Sequence, residues 1–204
     1  MSVHGMLGDM GPVAKPTPKT IADWLREPEH TRLELVNGEF VEKAAPSFDH
    51  GSVQFRIGSQ LGPPFGLRPG GRLPGGWWFG SEVDLQLGSN VFRPDLSGWR
   101  RERVPSMPKE RPLTVRPDWI CEIISESNAA HDRVIKLRAY QQAGVPHYWI
   151  IDPIEKTLVV MRHTEGGYLN VLAATAKDVV RPEPFEVMEF LVGAFFDDVE
   201  AVER

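Results

Sequence analysis

The segment 119–124, Trp-Ile-Cys-Glu-Ile-Ile, constrains this chain more than any other stretch. A short, continuous apolar run of this kind reads as a strand covered on both faces, the central position of a sheet. Glu122 is set inside it. A carboxylate buried without a partner is costly, so such an acid is ion-paired, hydrogen-bonded or bound to a metal. Cys121 beside it is the chain's one cysteine, which excludes an internal disulfide and thiolate metal clusters. In this apolar setting it reads as a small buried hydrophobe.

A second acid, Asp95, follows Pro94 in the run 92–96, which reads as another short strand that lacks one ladder donor at the proline. Two strand carboxylates and a backbone carbonyl such as that of Ile123 form the oxygen-rich set that a hard divalent cation takes. Such a cation lowers the pKa of its water and neutralises charge developing on a phosphorus. A structural salt bridge is the plainer alternative for each acid. Farther on, Asp132, Lys136 and Tyr140 recur at helical spacing and share one face. They are either a surface Asp–Lys pair or a device that brings Lys136 back over the strand end, to orient a water or stabilise phosphate charge. His50 is a further candidate for positioning water or phosphate. Glu34 and Glu82 read as solvent-facing strand acids or as additional site acids. Ser125 and Ser127 read as turn or cap residues.

The rest of the chain supplies a mixed α/β frame. Thr20 caps a short helix to about residue 26. Asn37-Gly38 between alternating runs marks a hairpin, with Leu33 and Leu35 on one face and Glu34 and Val36 on the other. Val53, Ile57 and Leu61 form one stripe of a helix over 49–61. Residues 62–76, dense in Gly and Pro, read as loop; 77–79 and 83–87 read as strands; 99–117 reads as a basic loop. A helix from Asn128 to about Ala143 ends at Gly144, followed by strands at 147–151, 158–161 and 168–173. The last apolar segment, 187–196, reads as a helix. This divides the chain into a flexible leader over 1–18, one domain over 19–196 and an acidic tail over 197–204.

Charge limits the partners. The net charge of −5 argues mildly against a polyanion, but residues 183–204 alone carry −6. The stretch 93–116 carries +4, so Arg100, Arg101 and Arg103 are candidates to contact a nucleic-acid backbone, against the alternative of a solvated loop. No apolar run reaches the roughly 18 residues of a membrane span, and no secretory signal is evident. The expectation is a cytoplasmic protein without a membrane partner.

In order and spacing these pieces resemble the Uma-two family within the PD-(D/E)xK nuclease superfamily. The resemblance rests on Leu33-Glu34-Leu35-Val36-Asn37-Gly38-Glu39, His50, Arg93-Pro94-Asp95-Leu96, Cys121-Glu122-Ile123-Ile124-Ser125, the Asp132 to Lys136 spacing, Tyr140, and 143–153. It implies a restriction-endonuclease-like fold, a central mixed β-sheet flanked by helices. It also implies metal-dependent cleavage of phosphodiester bonds, with Mg²⁺ or Mn²⁺ as cofactor and nucleic acid, DNA first, as substrate. The superfamily's two acids map to Asp95 and Glu122 as metal ligands. Its lysine, two residues after the second acid, is replaced here by Ile124, and Lys136 stands in for it. Tyr140 and His50 join as catalytic candidates, and Glu34 or Glu82 as the additional acid. A homodimer would suit an enzyme that cuts both strands. The rival from another class is an inactive nuclease-fold module that binds nucleic acid or another protein. Hydrolysis of a small phosphorylated molecule is a third option, favoured by a site too narrow for a duplex.

Overall fold

Residues 17–125 and 131–198 are described in the computed structural model of the protein, the side chains of 131–133 excepted. Most of the expected leader, the Asn128 cap, Ser127 and most of the acidic tail lie outside the described residues.

The elements run α1 (Ile21–Trp24), β1 (Leu33–Val36), β2 (Glu39–Glu42), α2 (Phe48–Phe65), β3 (Trp77–Ser81), β4 (Leu85–Leu87), β5 (Asn90–Phe92), β6 (Leu96–Arg100) and β7 (Trp119–Ile123). A π-helical turn (His131–Lys136) leads into α3 (Leu137–Gln142), then β8 (His147–Asp152), β9 (Thr157–Thr164), β10 (Gly167–Thr175), β11 (Val179–Val180), β12 (Phe190–Leu191) and a 3₁₀ turn (Val192–Phe195). Six strands form the main sheet in the order β10-β9-β8-β7-β6-β3. β7 and β8 are parallel and every other pair in it is antiparallel, so the sheet is mixed. A smaller antiparallel sheet has the order β2-β1-β5-β4.

β7 lies between β6 and β8 and is buried at every residue, as its apolar run requires. Side chains alternate across a strand. Trp119, Cys121 and Ile123 accordingly join the core shared with Val53, Ile57 and Leu61 of α2. Ile120 and Ile124 join the opposite core, with Phe92, Tyr140 and Tyr148. Glu122, between those two isoleucines, therefore faces the layer made by the small sheet and α3. The first core closes around Phe185, whose ring packs within 6 Å of Phe65, Trp77, Phe79, Trp119 and Trp149. Among the described residues, no helix is long and apolar enough to cross a membrane.

Local signals place several elements as expected. Thr20 and Asp23 form a capping box at α1. Asn37 (φ 52°) and Gly38 (φ 81°) take the two left-handed positions of a tight hairpin turn between β1 and β2. Gly144 has φ 67°, as a residue just past a helix C-terminus does.

Other segments differ from their sequence pattern. Helix α2 continues through Pro63 and Pro64 to Phe65, although 62–76 reads as loop. Phe65 extends the stripe of Val53, Ile57 and Leu61 by one more turn into the core, and that burial outweighs the missing proline donors near the helix end. The expected strand over 92–96 is instead the break between β5 and β6, with Arg93-Pro94-Asp95 as the connection. β6 then runs on to Arg100, into the stretch that reads as basic loop, because Trp99 is buried against the second core. The segment 187–196 forms β12 and a 3₁₀ turn rather than a helix. Gly193 packs against the Ala176 and Asp198 carbonyls with no room for a Cβ, and Phe190, Val192 and Phe195 plug the first core.

Candidate active site

Asp95 stands at the start of β6, where Pro94 has interrupted the ladder. Antiparallel pairing of β6 with β7 puts Leu96 opposite Cys121. Asp95 is thereby carried to the level of Glu122 and Ile123. Its Oδ2 accepts the Ile123 N–H at 2.6 Å. Its Oδ1 accepts Lys43 Nζ at 2.7 Å and lies 3.1 Å from His50 Nε2, a hydrogen bond when that nitrogen carries the proton. Gln54, one turn along α2 from His50, donates to the Asp95 carbonyl at 2.7 Å. Burial by itself would raise the Asp95 pKa. The His50 hydrogen bond and the Lys43 charge overcome it and hold the carboxyl well below the usual carboxylate range. Asp95 is ionised throughout the neutral range.

Glu122 is 1% exposed and sits against α3. Its Oε1 accepts Tyr140 OH at 2.6 Å and Lys136 Nζ at 3.1 Å. Lys136 and Tyr140 are one helical turn apart, so a single face of the chain addresses Glu122 with both donors. Lys136 points inward and is 2% exposed. Its Nζ also lies 3.4 Å from Glu34 Oε1, which accepts the Arg93 N–H at 2.7 Å. Burial and the neighbouring Glu122 push the Tyr140 hydroxyl well above its ordinary pKa. Tyr140 therefore stays protonated and acts as a donor that holds Glu122.

Glu34, Lys43, His50, Asp95, Glu122 and Lys136 line one cleft of about 710 Å³. Glu34 is not the solvent-facing acid that strand alternation suggests. It is 2% exposed, because the face of β1 opposite Leu35 is covered by the main sheet. Glu82 sits in the turn after β3 rather than in a strand, at φ 55° and half-buried. Arg32 Nη2 holds it at 2.8 Å and Lys43 Nζ at 3.2 Å.

Lys43 is the functional-site residue that sequence reasoning misses. It follows β2, is buried, and gives its ammonium to Asp95 Oδ1, Glu82 Oε1 and, at 2.7 Å, the Arg93 carbonyl. Burial opposes its charge, but Asp95 and then Glu122 raise its pKa, so it remains protonated. A lysine at a hairpin end carries no sequence signal of burial. Its partners Asp95 and Glu82 are supplied by segments roughly 40 to 50 residues away.

The structure does not bring Arg100, Arg101 and Arg103 to this cleft. Asp95 precedes β6 and Arg100 ends it, a separation of about 16 Å at strand rise. Arg100 lies over the Trp77 ring. Arg101 stacks on Trp78 and donates to the Trp77 and Gly66 carbonyls. Arg103 pairs with Asp118 and donates to the Arg116 carbonyl. These three side chains brace the far end of the sheet.

The donor chemistry fits a cation. One ligand atom each from His50, Glu82 and Asp95 lie within 4.8 Å of one another. Among the described residues, six carboxylates (Glu34, Glu42, Asp49, Asp95, Glu122, Asp197) and four cations (Arg32, Lys43, Lys136, Lys156) line the cleft, an excess of two negative charges before His50 is counted. Lys43 already gathers three oxygens around a positive charge, which is the ligand type a hard cation takes.

Comparison with known proteins bears on the fold and the family. In a search of solved structures, the fold matches that of a protein titled a putative nuclease belonging to DUF820 from Anabaena variabilis ATCC 29413. The TM-score is 0.74 at 20% identity, covering 88% of this chain and 98% of that one. No curated protein matches the sequence. The model of the family described as "Uma2: Putative restriction endonuclease" matches residues 19–192, and the chain belongs to that family.

Proposed function

We propose that this protein is a metal-dependent endonuclease that hydrolyses phosphodiester bonds in nucleic acid, with DNA as substrate. The observation that carries the reading is the convergence, in one cleft, of two buried strand carboxylates, Asp95 and Glu122, with the inward-pointing Lys136 ammonium 3.1 Å from Glu122. Asp95 and Glu122 would hold Mg²⁺ or Mn²⁺, which supplies an activated water and neutralises charge on the phosphate. Hydrolysis joins the water oxygen to phosphorus and breaks the bond to the leaving sugar oxygen, which takes up a proton.

The chain's own residues divide the remaining work. The Lys136 ammonium, held beside Glu122 and Glu34, stabilises the extra negative charge of the five-coordinate phosphate. Tyr140 fixes the orientation of Glu122 through its hydroxyl. The Ile123 N–H fixes Asp95. His50, at the edge of the cluster, positions water or a phosphate oxygen. Lys43 balances the charge of Asp95.

One observation favours the second reading, an inactive nuclease-fold module. Lys43 already pairs with Asp95 and Lys136 with Glu122, so protein cations engage the two carboxylates that a metal would use. Incubation of purified protein with plasmid DNA, single-stranded DNA and RNA, in Mg²⁺, Mn²⁺ or EDTA, separates the two. Metal-dependent cutting that is lost in Asp95→Ala and Lys136→Ala is the expected result. No cutting, with no Mn²⁺ binding by calorimetry, would leave the fold and sink the enzyme.

A further inference from the structure

The floor of the cleft is charged, and its rim mixes exposed apolar side chains with Glu42, Asp49, Lys156 and Asp197. Phe48, the first residue of α2, lines the cleft with its side chain 88% exposed, two residues before His50. Ile154, 63% exposed, lines it as well, as do Ala44, Ala45 and Pro153. Cations that reach this rim are engaged by acids: Arg32 by Glu82, and Lys156 by Asp198. The basic cluster Arg100, Arg101 and Arg103 is at the other end of β6.

Duplex nucleic acid presents its phosphates outward and is held chiefly through cations that touch them. Among the described residues, this rim offers none that is not already paired. An unpaired base presents a flat π-face, and an exposed aromatic side chain is the usual platform for it. The cleft volume of about 710 Å³ is enough for a nucleotide or two. We propose that Phe48 stacks on an unpaired nucleobase flanking the scissile phosphate, so that the substrate is single-stranded DNA. The proposal rests on the nuclease reading above. One copy suffices to cut a single strand.

The test uses full-length protein and short oligonucleotides carrying 2-aminopurine, single-stranded or annealed to a complement. Binding is followed by fluorescence in EDTA, and cleavage by gel with Mn²⁺. Preferred binding and cutting of the single strand is expected, with the 2-aminopurine emission changed on binding. Phe48→Ala should weaken single-strand affinity by about 5- to 100-fold and abolish the emission change. Phe48→Tyr should restore both. Phe55→Ala is the control: Phe55 is 75% exposed on the same helix, two turns along and outside the cleft, and its loss should change neither. Duplex cut as well as single strand, Phe48→Ala behaving as wild type, or Phe55→Ala equalling Phe48→Ala would each overturn the stacking proposal while the nuclease reading stands. No cutting of any strand with Mn²⁺ would overturn that reading and the proposal with it.

Discussion

The Ile123 N–H donates to Asp95 Oδ2 at 2.6 Å, and this bond joins the first acid of the cleft to the residue next to the second. The two carboxylates are therefore spaced by the sheet itself and not by flexible side chains. Asp95→Ala removes the acceptor for Ile123 N–H and the carboxylate facing Lys43, both buried. The expected cost is about 3–5 kcal/mol in urea unfolding, together with loss of metal-dependent cutting. Unchanged stability would mean that Asp95 does not anchor β6 to β7.

Lys136→Met is expected to separate binding from chemistry. Mn²⁺ affinity measured by calorimetry should stay within about tenfold of wild type or tighten, since a competing positive charge is gone. Cleavage should fall by about 100-fold or more, the loss that follows removal of one group aimed at transition-state charge. Equal loss of binding and cutting would instead assign Lys136 a structural role.

Tyr140→Phe keeps the ring packing against Phe92 and Tyr148 and deletes only the 2.6 Å bond to Glu122. A hydrogen bond to a buried charge of this kind contributes about 1.5–3 kcal/mol. Denaturant melts should show that loss. Cutting should fall with little change in substrate affinity, because Glu122 loses its fixed orientation.

His147 supplies a pH dependence far from the cleft. It starts β8, opposite Trp119, and burial, followed by the Arg100 charge, lowers its pKa to about 4. Its Nδ1 has no hydrogen-bond partner, and Glu183 is 3.7 Å away. The folded pKa is below the unfolded value of 6.5. The unfolded chain therefore binds the proton first as pH falls. The contribution of neutral His147 is complete above pH 6.5 and is lost between there and pH 4. With the ring partly exposed, about 1–2 kcal/mol is expected. His147→Gln should flatten the stability profile over that window, as chemical denaturation at several pH values will read.

Phe185→Ala should cost about 3–5 kcal/mol in thermal or urea unfolding, because five aromatic rings close around that one side chain. A change below about 1 kcal/mol would show that these rings collapse to fill the space.

Much of this architecture was legible residue by residue. Asn37-Gly38 carries the backbone angles of its hairpin, Val53, Ile57 and Leu61 carry the buried face of α2, and the run around Glu122 carries the central strand. In each, the information is local: a turn residue's φ preference or a repeat matching one element. Asp95 and Glu122 could be picked out as acids set in apolar strands, and Lys136 and Tyr140 by the helical spacing that puts them on one face. What they touch is not local. Lys43 reaches Asp95 across 52 residues, Lys136 of the helical segment meets Glu34 of the small sheet, and the arginines of 100–103 turn to Asp118 and backbone carbonyls rather than to the cleft. Periodicity shows that a face is covered but not by what, so the partners of buried charges depend on strand register and on the packing of one sheet over the other. The same limit explains Phe65 and the 187–196 segment, where core space decided between helix, strand and turn.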